Sequence, residues 1–179
     1  MPTPLGHALG GIAAGALVGR AEETSGDRSR SLRWSALFAA VGMLPDLDFL
    51  VGAHRGASHS VGAVLLITGM AVLVAPRRPR LWAAIGAAYA THVLLDWLGT
   101  DTVAPFGLMA LWPFDGAFHI SPVELFYPVC RQYWLVECWL SLARAVTVEL
   151  AVLGPLALLG LLRAGSRRRR SSRPPTATS

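Results

Sequence analysis

Apolar residues fall in five long runs, Leu5–Val18, Trp34–Leu44, Val61–Ala75, Leu81–Leu98 and Ala145–Leu162. Short polar stretches rich in arginine separate most of them. The runs approach the ~17–25 residues that a helix needs to cross a bilayer. The pattern predicts an all-α fold: a polytopic membrane bundle of about five helices, the first two short for full spans. Local signals place the ends. Thr24–Ser31 reads as a polar loop, with the second helix running from about Leu32 to Pro45, which a helix interior does not carry without a break. Ser58 or Ser60 can cap the third helix, leaving His59 in its first turn. Pro79 stands just before the fourth. Residues 99–142, rich in proline and aromatics, predict an interfacial lid at the outer face, with 123–142 continuing as an interfacial helix into the fifth. Gly11, Gly15 and Gly19 recur every four residues, so the first helix has a bare ridge for close packing, and His7 continues that line.

Composition supports the membrane reading, with 53% hydrophobic and 15% charged residues. All sixteen basic residues are arginine. They crowd the first connection (Arg20, Arg28, Arg30, Arg33), the third (Arg77, Arg78, Arg80) and the tail (Arg163, Arg167–Arg170, Arg173), whereas Arg55 and Arg131 stand alone in the second and fourth. The positive-inside rule then puts the N-terminus outside and the C-terminus inside. One embedded domain, 1–165, is expected to be followed by a basic, disordered tail, 166–179. That tail reads as a stop signal touching anionic lipid, so membrane lipid is an expected partner and nucleic acid is not. The first run lacks the basic flank of a signal peptide, and cleavage is not expected. Cys130 and Cys138 are too few for a disulfide framework. Eight residues apart on one helix they could not pair, and they read as packing residues.

Ionisable groups inside apolar runs are costly and read as functional. His92 and Asp96 are four residues apart, on one face of the fourth helix. Asp46 and Asp48 follow the second helix within a segment kept apolar by Phe49, Leu50 and Val51, and His54, Arg55 and His59 come next. At 1.5 Å per residue from the cytoplasmic ends, His7, Asp46, His59, His92 and Asp96 rise to between roughly 17 and 26 Å. They therefore share one depth in the outer half of a ~30 Å hydrocarbon core. Imidazole mixed with carboxylate suits a divalent transition metal, Zn, Mn or Fe, and is too rich in nitrogen for Ca or Mg. The candidate ligands are His7, Asp46, Asp48, His59, His92 and Asp96. Six exceed the three protein ligands of a typical catalytic zinc. Either two ions are held or some of the six orient the others.

Five pieces occur in order over roughly residues 5–115: Gly6-His7, Leu44-Pro-Asp46-Leu-Asp48, His54-Arg-Gly-Ala-Ser-His59-Ser60, His92-Val-Leu-Leu-Asp96 and Leu111-Trp-Pro-Phe114. In these the chain resembles the bacterial inner-membrane, metal-dependent hydrolase family of the YdjM/YbcI type. Some relatives carry histidine directly after the second aspartate, where this chain has Phe49. The resemblance implies a bacterial cytoplasmic membrane location and a hydrolase label. For some relatives it also implies association with a LexA-type regulator.

The function expected is a membrane-bound metal-dependent hydrolase. Its metal would polarise the scissile group, His54 and Asp48 would move protons, and Arg55 would hold an anionic group such as phosphate. The recessed site favours a small-molecule or lipid-like substrate, a phosphoester or lipid-linked compound. The alternative is a non-catalytic ion-binding or transport protein, which would mark a polar path through the membrane. The inner halves of the helices carry few such groups. A haem-binding or scaffold role would leave the carboxylates without a use.

Overall fold

The computed structural model describes residues 1–19, 28–51 and 54–171, and among them the fold is all-helical. The helices are α1 Pro4–Gly19, α2 Arg28–Met43, α3 Val61–Val74, α4 Pro79–Trp97 and α5 Val136–Ser171. Two 3₁₀ segments, Leu44–Val51 and Ala57–His59, follow α2 and precede α3. Among the described residues extended pairing is limited to two isolated bridges, Gly99 with Phe126 and Leu108 with His119.

The small residues of α1 make it the centre of the bundle, packed against α2, α4 and α5. A Cβ on Gly11 would lie 2.3 Å from the Phe38 carbonyl oxygen and 3.0 Å from the Gly42 Cα. Likewise, one on Gly42 would lie 2.5 Å from the His7 carbonyl oxygen. Helices α1 and α2 therefore touch backbone to backbone, as small-residue ridges permit. Gly15 receives the ring of Phe38, which is fully buried with Ala84 and Ala88 of α4. On another side of α1, Gly6 leaves room for the Glu149 carboxylate of α5, whose Cδ would stand 2.8 Å from an added Cβ. Glu149 accepts from the Thr3 backbone N–H at 2.6 Å and from the Thr3 hydroxyl. A buried acid at the start of α1 thus satisfies a free amide and meets the positive end of the helix dipole.

Several boundaries differ from those expected. Helix α2 begins at Arg28 instead of near Leu32, and residues 20–27 of the first connection lie outside the described residues. His59 stands just before α3 and not in its first turn, because Ser60 is the cap, accepting from the Ala63 N–H at 3.1 Å. Residues 123–135 are not the interfacial helix that was expected. The Leu98 carbonyl accepts from Leu125 and Phe126 at 2.7 and 3.1 Å, and the Thr100 N–H donates to Phe126 at 2.9 Å. Those bonds hold the backbone extended, and Pro122 and Pro128 bracket the stretch. At its other end α5 runs to Ser171. Residues 172–179 of the tail lie outside the described residues.

The cysteine reading is corrected outright. Cys130 and Cys138 form a disulfide, with Cα atoms 5.4 Å apart. They do not share a helix. A turn closed by the Leu135 N–H on the Gln132 carbonyl at 2.9 Å folds Cys130 back onto the first turn of α5.

One described helix has the length and composition to cross a bilayer: Val136–Arg163 of α5, with a mean hydropathy of 2.1. Helices α1 and α3 are apolar but shorter. Leu65, Leu66, Met70, Leu73 and Val74 of α3 are all exposed. The segment between α4 and α5 is ordered against the bundle. Ala110 and Trp112 accept from the first N–H groups of α3, those of Val61 and Gly62, each at 2.9 Å. Leu108 and Ala110 enter a core with Ala63, Tyr89 and Val93.

Candidate metal centre

Four elements bring the predicted histidines and aspartates to one end of the bundle. Helix α1 supplies His7, the first 3₁₀ segment Asp46 and Asp48, the second His59, and α4 His92 and Asp96. His7, His59 and His92 are fully buried, and Asp96 nearly so. The α1–α2 crossing sets one of them directly. At Gly42, where the helices touch, the carbonyl oxygen accepts from His92 Nδ1 at 2.7 Å. A carbonyl only accepts, so Nδ1 carries the hydrogen and Nε2 presents a lone pair. His59 is fixed in the same sense. Its Nδ1 lies 3.2 Å from Asp48 Oδ2, a carboxylate that also accepts from Ser58 Oγ at 2.8 Å.

The two Nε2 atoms so presented are 3.0 Å apart. Asp96 Oδ2 lies 3.2 Å from His59 Nε2 and 3.4 Å from His92 Nε2. Asp46 Oδ1 is 3.8 and 3.6 Å from the same nitrogens. His7 stacks on His92 with ring centroids 3.7 Å apart, and its Nε2 is 3.2 Å from Asp96 Oδ1. Both ring nitrogens of His7, Oδ1 of Asp46 and both carboxylate oxygens of Asp96 are buried without a hydrogen bond. Lone pairs on neighbouring nitrogens repel, and buried carboxylates left bare are costly. A cation among them removes both penalties. Ligand atoms of His7, Asp46, His92 and Asp96 all lie within 4.8 Å of one another, as do those of Asp46, His54 and His59. The two groups share Asp46. The residues present therefore fit a transition metal by donor chemistry, proximity and unsatisfied valence.

Asp48 sits behind this convergence and turns its oxygens elsewhere. Besides His59 and Ser58, it accepts from His54 Nδ1 at 2.8 Å and from the Arg55 backbone N–H at 3.0 Å. Burial favours the neutral acid, but these donors prevail and hold Asp48 well below the ordinary carboxylate range. For His59, burial likewise opposes charge, and the facing carboxylates of Asp46, Asp48 and Asp96 override it; the same negative surroundings favour either a proton or a metal cation at Nε2. His54 is pushed below the ordinary histidine value by burial, with Asp48 acting in the opposite direction. Its Nε2 lies 3.0 Å from the Met1 sulfur, and its ring stacks on Phe49 at 3.7 Å.

Arg55 has a backbone φ of 66°, a left-handed conformation that a side chain adopts only when its surroundings enforce it. Its guanidinium is paired with Asp101. Burial raises the Asp101 pKa, and the bonds from Arg55 and the Gly107 and Val103 N–H groups outweigh it, holding Asp101 below its ordinary value. Asp101 does not stand out in the sequence. A lone aspartate in a polar loop reads as solvated, and only the fold shows what it faces. A cavity of about 570 Å³ opens beside the centre, reaching it at Asp46 and walled by Phe49, Arg55 and Arg131. His119 is apart from the cluster, 3.0 Å from the half-exposed Asp115.

These features define a class, an all-helical protein with a buried His/Asp centre at one end of the bundle. The chain belongs to the family described as YdjM inner membrane protein, whose profile matches residues 1–168, well past the helix-four motif and into α5. No curated protein and no solved structure matches the chain.

Proposed function

We propose that this protein is a membrane-embedded, metal-dependent hydrolase acting on a phosphoester or lipid-linked substrate. One observation carries the reading: the Nε2 atoms of His59 and His92, each ring held through its Nδ1, face each other at 3.0 Å amid buried carboxylate oxygens that make no hydrogen bond. His7, Asp46, His59, His92 and Asp96 would hold one or two divalent ions (Zn, Mn or Fe), Asp46 being common to both groups. A bound ion would supply Lewis acidity and make water reactive at neutral pH. Asp48 orients His59 and His54 through their Nδ1 atoms, as carboxylates behind metal-binding histidines do. His54, held by Asp48 through Nδ1, would accept and return a proton at Nε2, beside the Met1 sulfur that lines the cavity. Arg55, on the cavity wall, offers the guanidinium donors that Asp101 leaves free to an anionic group. A transport role is less well supported, because the inner halves of the apolar runs carry few ionisable residues.

We place the protein across the bacterial cytoplasmic membrane in several passes, N-terminus out and C-terminus in. The arginine distribution supports this. So does a disulfide in the segment assigned to the outer face, since such bonds persist in oxidising compartments.

Purified protein should carry a transition metal by elemental analysis and hydrolyse a member of a phosphoester and ester panel. His92→Ala and Asp96→Ala should each lose most of the metal and the activity, while His119→Ala keeps both. Equal metal content in the wild type and both centre variants would falsify the proposal.

A further inference from the structure

The cavity carries a second cation whose position the catalytic reading does not use. Arg131 lines it, and its guanidinium carbon stands 5.2 Å from the centroid of the Phe49 ring. Phe49 in turn stacks on His54. Arg131 is therefore held at the mouth by a stack that ends at the proposed proton carrier. From the other side, the Cys130–Cys138 disulfide pins its neighbour in the chain to the start of α5. Arg131 is exposed, and no carboxylate among the described residues is paired with it. Arg55, by contrast, is buried and bound to Asp101.

The rest of the lining is mixed. Pro2, Phe49, Val103 and Val129 give apolar wall, and Thr100 and Thr102 give hydroxyls. A volume of about 570 Å³ is in the range of small-molecule sites. A largely apolar chamber lined by an exposed guanidinium and by Asp46 of the centre suits an amphiphile with an anionic group. A planar guanidinium binds phosphate with two parallel hydrogen bonds. The Phe49 ring, 5.2 Å from the guanidinium carbon, helps hold it in place.

We propose that this cavity binds an anionic amphiphile of the lipid-phosphate class and that Arg131 is the residue selecting for its anionic group. The proposal rests on the hydrolase reading for the identity of the chamber, but its test does not need turnover. Full-length protein in a neutral detergent is titrated with dihexanoyl phosphatidate, with dihexanoylglycerol and with inorganic phosphate, and binding is followed by calorimetry. Phosphatidate should bind best. Arg131→Ala should weaken phosphatidate binding roughly tenfold, while binding of dihexanoylglycerol and metal content stay unchanged. Arg131→Lys should recover part of the loss, since a point charge replaces the two-pronged contact. Unchanged phosphatidate affinity in Arg131→Ala overturns the assignment, as does inorganic phosphate binding as tightly as phosphatidate. Protein that holds no metal yet binds phosphatidate through Arg131 defeats the hydrolase reading alone. Protein that is metal-loaded and active, yet indifferent to Arg131, defeats this proposal alone.

Discussion

Asp48 illustrates how one side chain can organise several others. Its two oxygens meet both imidazoles, a serine hydroxyl and a backbone amide within eleven residues of chain. Asparagine has the same shape, but its amide nitrogen must face one of those donors and its charge is gone. Asp48→Asn should therefore fold and lower metal affinity by roughly 10–100-fold, the usual cost of losing a carboxylate behind a ligating histidine. Competition with a chromogenic chelator measures this, and an unaltered affinity would mean that Asp48 does not orient the ligands. The histidines and aspartates of the centre were legible in the sequence, because ionisable residues in apolar runs stand out and helix rise alone brought them level. The division of labour was not. Asp46 and Asp48 are two residues apart in a 3₁₀ segment, and only the turn itself decides which carboxylate faces the histidine nitrogens and which faces away. Asp101 and Arg131 carried no signal at all, since each gains meaning from a partner distant in sequence.

Among the elements, α1 was the most legible. Its glycine spacing predicted a close-packing ridge, and α2 does approach there until backbones touch. The prediction that follows concerns Gly11. An alanine methyl there meets a carbonyl oxygen at 2.3 Å, and backbone cannot turn aside as a side chain can. Gly11→Ala should push α2 away, cost on the order of 1–3 kcal/mol or more, and draw the Gly42 carbonyl off His92. Gly69→Ala is the control, since nothing lies within 4 Å of its Cβ position. Alanine there should stabilise α3 slightly, by up to about 1 kcal/mol. Thermal unfolding in detergent, read beside metal content, distinguishes the two. The segment before α5 was the least legible element. Its aromatic and apolar content suits an interfacial helix, but hydrogen bonds to Leu98 and Thr100 override that local preference, and the same fold-back makes a disulfide of two cysteines that sequence spacing kept apart.

For the molecule as a whole, the proposed topology accommodates both the arginine asymmetry and the Cys130–Cys138 disulfide. Reporter fusions at Pro79 and Ser179 should accordingly read cytoplasmic, and a fusion near Ala117 should read external. A cytoplasmic reading at Ala117 would put the centre and its cavity on the opposite side of the membrane and leave the disulfide in a reducing compartment.

The central position of α1 has a bearing on biogenesis. Helix α1 packs against α2, α4 and α5, and its opening turn is secured by Glu149, 146 residues further along the chain. His7 therefore waits, through the synthesis of the intervening residues, for the neighbours that enclose it. A nascent chain halted before α5 would hold the motifs through Asp96 but lack the acid that anchors the start of α1. The start of α1, and with it the setting of His7, is therefore secured only once α5 has been made.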